Sequence, residues 1–270
     1  MDNSDLGNRQ KFYEGLTDTH LMPLVPVMVR LDGRCFSRFT KDLERPYDKR
    51  FSDLMIETAR FLVKETNARI SYTQSDEISL VLLNERFDSE LFMGGRSFKM
   101  ISIMSAITTA FFNRNLPKYL PEKIDGMPVF DCRVWNVPSK TEAVNALIFR
   151  EQDATRNSIS MAAQSQFSHN QLMNKSCDQM QEMLFQEKGI NWNDYPSFFK
   201  RGTYVQKYKI ERPFTAEEIE KLPSKHNARN DPDLKVMRSE IRVIELPIMT
   251  KIINREEVVF DGAEPIVKVE

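Results

Sequence analysis

Apolar and polar positions between residues 24 and 136 follow two different periods in turn. Residues 24–31, LVPVMVRL, form a short apolar run that stops at Asp32 and Gly33, which predicts a strand leading into a turn. Residues 48–65 show the i, i+3, i+4, i+7 spacing of an amphipathic helix, at Phe51, Leu54, Met55, Thr58, Phe61 and Leu62.

Two more strands are predicted at residues 69–74, RISYTQ, and 77–83, EISLVLL, with Ser75 and Asp76 as the tight turn between them. A second amphipathic helix follows at 96–115, with one face formed by Phe98, Ile101, Met104, Ile107 and Phe111. Residues 128–136 alternate loosely and predict a fourth strand. The resulting order of strand, helix, strand, strand, helix and strand is that of the split ferredoxin-like arrangement.

The second half of the chain predicts an addition to this core. Ser139 with Glu142, and Thr215 with Glu218, are capping-box pairs, so helices should begin near residues 140 and 216. A helix over 175–188 should stop at Gly189, and residues 203–212 and 239–253 resemble strands. We therefore predict an α+β protein with a ferredoxin-like core, residues 1–138. Residues 139–270 should form a helical and β extension packed on it as one integrated domain.

The predicted topology brings two carboxylates together. The first and third strands of such a sheet are antiparallel neighbours, so Asp32, after the first, and Asp76, before the third, should lie at the same edge. Two carboxylates this close repel each other unless a cation holds them, and oxygen ligands select a hard ion such as Mg²⁺. Gly33 has no Cβ, so its backbone can approach an ion or a phosphate. Two such ions about 3.5–4 Å apart would form the usual clamp for phosphoryl transfer.

A purely structural interpretation of these residues stays open. Asp-Gly is among the commonest turn dipeptides, and Ser75-Asp76 is an ordinary hairpin turn. Each pair alone is better explained as a turn than as a catalytic site. Their convergence on one sheet edge makes the catalytic interpretation about equally favoured.

Composition narrows the class of protein. Hydrophobic residues make up 41% of the chain and charged residues 29%, which suits a packed core. No uninterrupted apolar stretch approaches twenty residues and the start is polar and acidic, so we expect no membrane span or secretory signal and a cytoplasmic location. The three cysteines lack CxxC spacing and the three histidines are scattered, which argues against a zinc site. A net charge of −1 requires any nucleic-acid surface to be local.

Several motifs together resemble the tRNA(His) guanylyltransferase family over about residues 5–205. They are VRLDGR at 29–34, QSDE at 74–77, FDCRV at 130–134, PS at 138–139, REQD at 150–153 and KRGT at 200–203. The resemblance implies a polymerase-type palm and a nucleotidyltransferase that adds nucleotides in the 3′-to-5′ direction to the 5′ end of tRNA. It also implies GTP, ATP and other nucleoside triphosphates as substrates, two Mg²⁺ ions as cofactors, and a homotetramer.

The resemblance also implies roles for single residues. Asp32 and Asp76 correspond to the carboxylates that bind both magnesium ions, Gly33 to the backbone ligand, and Glu77 to a further acid of the catalytic site. The nucleotide-binding stretches are Asp32, Gly33, Arg34, Cys35, Phe36 and Ser37, with Ser75 and Asp76. Arg45 stands where the family usually has a lysine beside the proline, and the two cations are not interchangeable.

Arg96 and Lys99 resemble residues that hold a triphosphate. They lie three residues apart on one helix face, and a solvated face explains that spacing equally well. Predicted contacts to tRNA come from the later motifs, at Arg150, Asp153, Arg156, Asn157, Lys200 and Arg201.

One segment departs from the guanylyltransferases. Where they have His-Ile-Asn-Asn, this chain has Thr155, Arg156, Asn157 and Ser158, a pattern similar to the guanylyltransferase-like branch, which repairs 5′-truncated tRNA by templated addition. We therefore expect templated repair after ATP or GTP activates the 5′ phosphate. A dedicated enzyme that adds one guanosine to tRNA(His), and a palm-type nucleotide cyclase, remain alternatives. An RNA-recognition module is disfavoured because strand 77–83 has no aromatic residue for base stacking.

Overall fold

A computed structural model describes residues 4–231 and 233–268 and contains one six-stranded antiparallel sheet, in the order β4-β1-β3-β2-β5-β6. The strands are β1 (Val27–Gly33), β2 (Ile70–Gln74), β3 (Glu77–Leu82), β4 (Phe130–Asn136), β5 (Thr203–Pro213) and β6 (Lys235–Ile244). The longer helices are α1 (Asp5–Gly15), α3 (Lys49–Thr66), α4 (Ser97–Tyr119), α5 (Lys140–Gln164) and α7 (Cys177–Lys188). The shorter ones are α2 (Phe36–Phe39), α6 (His169–Leu172), α8 (Ser197–Arg201), α9 (Ala216–Lys221) and α10 (Arg255–Asp261).

The predicted order of elements over residues 24–136 is confirmed as β1, α3, β2, β3, α4 and β4. Helix α4 continues past the predicted end through Pro117 to Tyr119. The predicted strand over 239–253 is wrong in its second half, because the strand ends at Ile244 and a short 3₁₀ helix spans Met249–Lys251. Pro247 lies between the two and has no N–H to donate to a strand ladder.

Side chains of the sheet alternate between two buried layers. Helices α3 and α4 cover one face, where Val27, Val29 and Leu31 of β1 meet Leu54 and Met104. Helices α5 and α10 cover part of the other face, where the buried sheet residues are Met28, Ile70, Tyr72, Val81, Leu83 and Tyr204. The carboxylates predicted to carry chemistry lie on this second face, beside the end of α5.

The second half of the chain extends the sheet. Strand β5 pairs with β2, with Thr203 opposite Thr73, and β6 pairs with β5. A third apolar cluster joins α5 to α7 and α8, with Leu184 and Phe199 buried in it. Within the described ranges no helix is long and apolar enough to cross a membrane.

Candidate active site

The ends of β1 and β3 place three acidic residues at one edge of the sheet. Asp32 is the Cα partner of Glu77 in the antiparallel ladder, and Asp76 is the residue before it. The Gly33 amide donates a hydrogen bond to the Asp76 carbonyl oxygen at 3.1 Å, which fixes the β2–β3 turn against the end of β1. The structure thus brings Asp32, Asp76 and Glu77 together.

A cleft of about 380 Å³ opens over this edge. Its walls are the end of β1, the β2–β3 turn and one side of α5. The residues singled out from the sequence that line it are Asp32, Ser75, Asp76, Glu77, Arg150, Asp153 and Asn157. The cleft therefore brings together some of the residues predicted to contact metal, nucleotide and tRNA.

Guanidinium groups hold Glu77 and leave Asp76 without a cation. Arg150 lies 3.1 Å and Arg30 3.6 Å from the Glu77 carboxylate, and Arg30 also lies 3.4 Å from Asp32. Burial raises the pKa of Glu77 against the lowering effect of those arginines. In the described part of the chain no cationic side chain pairs with Asp76. Burial, and then the nearby Asp32 carboxylate, raise the pKa of Asp76.

This arrangement fits a hard divalent cation. A cation between Asp32 and Asp76 would relieve the repulsion that raises the pKa of Asp76. Among the described residues no group of three His, Cys, Asp or Glu side chains is arranged to hold a metal, so a zinc-type cage is not present there. Two carboxylates with a backbone oxygen suit Mg²⁺, which keeps waters and substrate phosphates as its other ligands.

Close packing requires a glycine at position 33. A Cβ at this position would lie 2.4 Å from the ring of Phe36. That ring is buried and packs against Phe51, Phe112 and Phe130. The Phe36 side chain therefore belongs to the core, and only its backbone is available to a nucleotide.

The other predicted nucleotide-binding residues lie around the cleft in different settings. Arg34 and Cys35 line a separate cavity of about 560 Å³, together with Arg38 and Lys123. Ser37 is exposed on α2. Arg45 lines a small pocket that shares Ser75 with the carboxylate cleft.

Arg96 and Lys99 lie away from the carboxylates. Arg96 precedes the first turn of α4 and pairs with Asp18 at 2.6 Å. The start of β4, next to Gly33, contacts α4 through Ser105, whose hydroxyl donates to the Phe130 carbonyl. Ser105 lies nine positions after Arg96, roughly 13 Å along the helix axis. These two basic residues do not line the cleft.

The predicted tRNA contacts separate into two groups. Arg150, Asp153 and Asn157 line the cleft from α5, and Arg156 pairs with Asp153 at 3.0 Å. Lys200 and Arg201 lie elsewhere, at the end of α8. The Lys200 ammonium donates to the Asn193 carbonyl, and burial lowers its pKa. The Arg201 carbonyl accepts a hydrogen bond from the Tyr72 hydroxyl at 2.7 Å, and Arg201 lines another cavity.

Several residues of the site were not predicted from the sequence. Arg30 shares a strand face with Asp32 at i−2, which alternation alone could have shown. Arg30 contacts Asp32 and Glu77, and the unpredicted residues that line the cleft itself are Tyr72, Gln74, Ala154, Ser160, Met161 and Gln164. Ser160 and Gln164 continue the α5 face of Asp153 and Asn157 at helical spacing, so the polar stripe of α5 was a usable signal.

Comparisons with known proteins agree with this geometry. The family model described as tRNAHis guanylyltransferase matches residues 7–138, and the model described as Thg1 C terminal domain matches residues 158–250. A tRNA(His) guanylyltransferase of Neurospora crassa is 30% identical over 233 residues, 80% of this chain and 78% of that protein. An uncharacterised mimivirus protein, R259 of Acanthamoeba polyphaga mimivirus, is 31% identical over 230 residues, 77% of this chain and 79% of that protein.

Solved structures show the same relationship. A bacterial tRNA(His) guanylyltransferase-like protein in complex with ATP superimposes with a TM-score of 0.77 at 31% identity, covering 95% of this chain and 99% of that one. A structure of such a protein in complex with GTP gives 0.69 at 29% identity, covering 92% and 95%. The chain is therefore a nucleotidyltransferase that belongs to the tRNA(His) guanylyltransferase family.

Proposed function

We propose that this enzyme adds nucleotides in the 3′-to-5′ direction to the 5′ end of tRNA, on a polymerase-type palm formed by β1, α3, β2, β3, α4 and β4. The observation that carries the proposal is the meeting of Asp32 and Asp76 in a cleft lined by Arg150. Relatives that bind ATP and GTP support the choice of nucleoside triphosphates as substrates.

Asp32, Asp76 and the Gly33 backbone would hold two Mg²⁺ ions. Bound there, Mg²⁺ would supply positive charge that stabilises the charge of the reacting phosphate. The chain's own residues supply orientation, since transfers of this kind depend on positioning and on charge. Arg150 and Arg30 fix Glu77 beside the two aspartates, and Arg150 also lies 4.0 Å from Asp153 on its own helix.

The proposed reaction runs in steps within this cleft. ATP or GTP first transfers its nucleoside monophosphate to the 5′ phosphate of the RNA, and pyrophosphate leaves. The 3′-hydroxyl of an incoming nucleoside triphosphate then attacks that 5′ phosphate, and AMP or GMP leaves. Hydrolysis finally removes pyrophosphate from the new 5′ triphosphate end. Residues 139–270 form one catalytic unit with residues 1–138 in this proposal, because α5 supplies one wall of the cleft and β5 pairs with β2. The homotetramer stays a prediction.

We further propose that the substrate is 5′-truncated tRNA and that addition is templated. At residues 155–158 the chain lacks the histidine and one asparagine of the guanylyltransferases. Arg156 is about half exposed on α5 and pairs with Asp153, which lines the cleft. A cation there suits a phosphate backbone and carries no base preference. Base pairing to the opposite strand of the acceptor stem would then supply the specificity.

A panel of labelled truncated tRNAs tests this function. Each RNA carries a different template base and is incubated with each nucleoside triphosphate in turn. We expect the complementary nucleotide to be favoured about tenfold or more, a difference of about 1.4 kcal/mol, and addition to stop when the stem is fully paired. Guanosine added whatever the template, or use of tRNA(His) alone, would replace repair by the dedicated guanylyltransferase activity. A cyclic product from GTP without RNA would identify a cyclase.

Replacing Arg96 and Lys99 together by alanine should weaken the use of triphosphate substrates several-fold, since charged contacts to phosphate are strong. Neither residue lines the carboxylate cleft. A weaker use of triphosphates by the double variant would therefore indicate a triphosphate at the N-terminal end of α4. The measurement is KM for ATP and GTP. The control is the double variant Lys64→Ala and Arg114→Ala, which removes two exposed charges elsewhere. Unchanged KM values would assign Arg96 and Lys99 to a solvated helix face.

A further inference from the structure

The edge strand β4 continues the face of the sheet that carries the carboxylates. Directly paired residues of antiparallel strands point their side chains to the same face. The pairs between β4 and β1 are Asp131 with Asp32, Arg133 with Arg30, and Trp135 with Met28. Asp32 lines the cleft and Arg30 contacts Asp32, so the β4 side chains form a row that runs from the cleft along the open edge of the sheet. We call Asp131, Arg133 and Trp135 the β4 strip.

The helix layer leaves the β4 strip uncovered. The buried cluster beneath α5 draws on β1, β2, β3 and β5, and no described residue of β4 belongs to it. Asp131 and Arg133 are exposed, and Trp135 is 38% exposed. Within residues 4–231 and 233–268 the Arg133 guanidinium has no ion pair or hydrogen bond. The β4 strip therefore presents an exposed indole ring and an unpaired guanidinium side by side on this face of the sheet.

A second exposed aromatic residue contacts Arg150, which lines the same cleft. Phe149 of α5 is 51% exposed, and the Arg150 guanidinium lies 4.3 Å from the centre of its ring. Arg150 also pairs with Glu77 in the cleft. The approach to the carboxylates therefore offers aromatic surface and cationic groups together. Proteins that bind single-stranded nucleic acid combine these two features, with bases stacked on rings and phosphates held by arginine.

We infer that the β4 strip binds the unpaired 3′ strand of the acceptor end, the strand left single when the 5′ end of a tRNA is truncated. The inference rests on the proposed function and adds the place where the template strand lies. Trp135 is four residues from Asp131, roughly 13 Å along the strand at about 3.3 Å per residue. Stacked nucleotides rise about 3.4 Å each, so Trp135 would stack about four nucleotides from the reacting end. Arg133, between the two, would contact a phosphate.

The charges along the β4 strip agree with an RNA strand that runs from the carboxylates toward Trp135. Asp131 lies beside Asp32, at the end where cations are expected, so its negative charge is not a barrier to phosphate there. Away from the carboxylates the strip is cationic at Arg133 and then aromatic at Trp135. A fully paired stem hides its base faces, whereas an unpaired strand presents them to Trp135.

Tryptophan fluorescence measures this contact directly. The chain has two tryptophans, and Trp192 is partly buried, with its indole N–H donating to the Ser158 hydroxyl at 3.2 Å. In Trp192→Phe, all tryptophan emission comes from Trp135. We expect saturable quenching by an RNA hairpin with a four-nucleotide 3′ overhang, and little quenching by the same hairpin with a blunt end. Arg133→Ala should reduce the salt dependence of overhang binding by about one unit of slope.

Kinetics with the overhang RNA give the second measurement. Trp135→Ala should raise KM for this RNA about tenfold, given the usual cost of losing one base stack, with a smaller effect on kcat. Trp135→Phe should recover most of the loss, because it keeps a ring on which a base can stack. The controls are Phe87→Ala and Arg114→Ala, an exposed ring and an exposed charge outside the strip. Neither should change KM for the RNA.

The outcomes separate this inference from the proposed function. If the wild-type enzyme adds nucleotides and Trp135 emission ignores the overhang, the strip is not the template site while the function stands. If the overhang quenches Trp135 and no nucleotide is added, the RNA surface stands and the proposed function is wrong. If Trp135 emission instead changes with protein concentration without RNA, the strip is an interface between copies of this chain and the inference is overturned.

Discussion

Asp32→Asn and Asp76→Asn are each expected to abolish nucleotide addition while the protein stays folded. Each substitution keeps the size of the side chain and removes one negative charge from the pair in the cleft. A cation held by the two carboxylates would stabilise the transition state by several kcal/mol, so the loss should be on the order of 10³-fold in kcat/KM. The measurement is single-turnover addition to a truncated tRNA at several magnesium concentrations.

Thermal melting and RNA affinity provide the check that folding is intact. Burial and the neighbouring Asp32 carboxylate raise the pKa of Asp76, so neutralising one partner removes repulsion, and Tm should stay the same or rise. Asp53→Asn is the matched control. It changes an aspartate of α3 that pairs with Lys49 and does not line the cleft, and it should leave the rate unchanged. Wild-type activity in both cleft variants at ordinary magnesium would refute the assignment of the two metal ligands.

Glu151→Ala is expected to lower the free energy of unfolding by about 3 kcal/mol. The Glu151 carboxylate is buried and accepts hydrogen bonds from the Tyr204 hydroxyl at 2.9 Å and from the Met249 amide at 3.1 Å. Alanine would leave both donors buried without a partner. The bonds join α5 to β5 and to the segment after β6, and Arg150 follows Glu151 directly on α5. Activity should therefore fall together with stability, as measured by denaturant unfolding and by addition kinetics.

Glu151→Gln is the matched control for this effect. Glutamine keeps a carbonyl for the Met249 amide and a polar group for Tyr204, so most of the stability should return. Burial raises the pKa of Glu151 above its ordinary value, despite the two hydrogen bonds. Because the pKa of Glu151 is higher in the folded protein than in the unfolded chain, the protonated carboxyl stabilises the fold. This stabilisation is complete below the unfolded pKa and is lost as pH rises through the folded pKa. The wild type should therefore lose stability relative to Glu151→Gln as pH rises across that window. Parallel pH curves for the two proteins would contradict the prediction.

The sequence by itself determined the elements of the core and the meeting of Asp32 with Asp76. Alternation and helical spacing are local properties, and the order of the six elements leaves antiparallel β1 and β3 as neighbours. The edge that joins the two aspartates follows from that order without any side-chain packing. The polar stripe of α5 was also present in the sequence, because helical spacing connects Asp153, Asn157 and Gln164.

The tertiary structure decided which side chains reach the cleft. Phe36 lies in a motif of the nucleotide-binding stretch, yet its ring fills the core beside Gly33. Arg96 and Lys200 belong to basic pairs that resemble ligand contacts, and packing places both outside the cleft. Arg30 and Arg150 are 120 positions apart in the sequence and meet at one carboxylate.

These differences have one physical reason. Periodicity specifies which face of an element is buried, but a contact between elements depends on register and on the angle at which they pack. The register of β4 against β1 places Trp135 on the same face of the sheet as Asp32. The position of α5 on that face leaves the β4 edge uncovered. Neither the register of β4 nor the position of α5 is encoded within a single window of the sequence. The β4 strip is therefore apparent only in the assembled sheet.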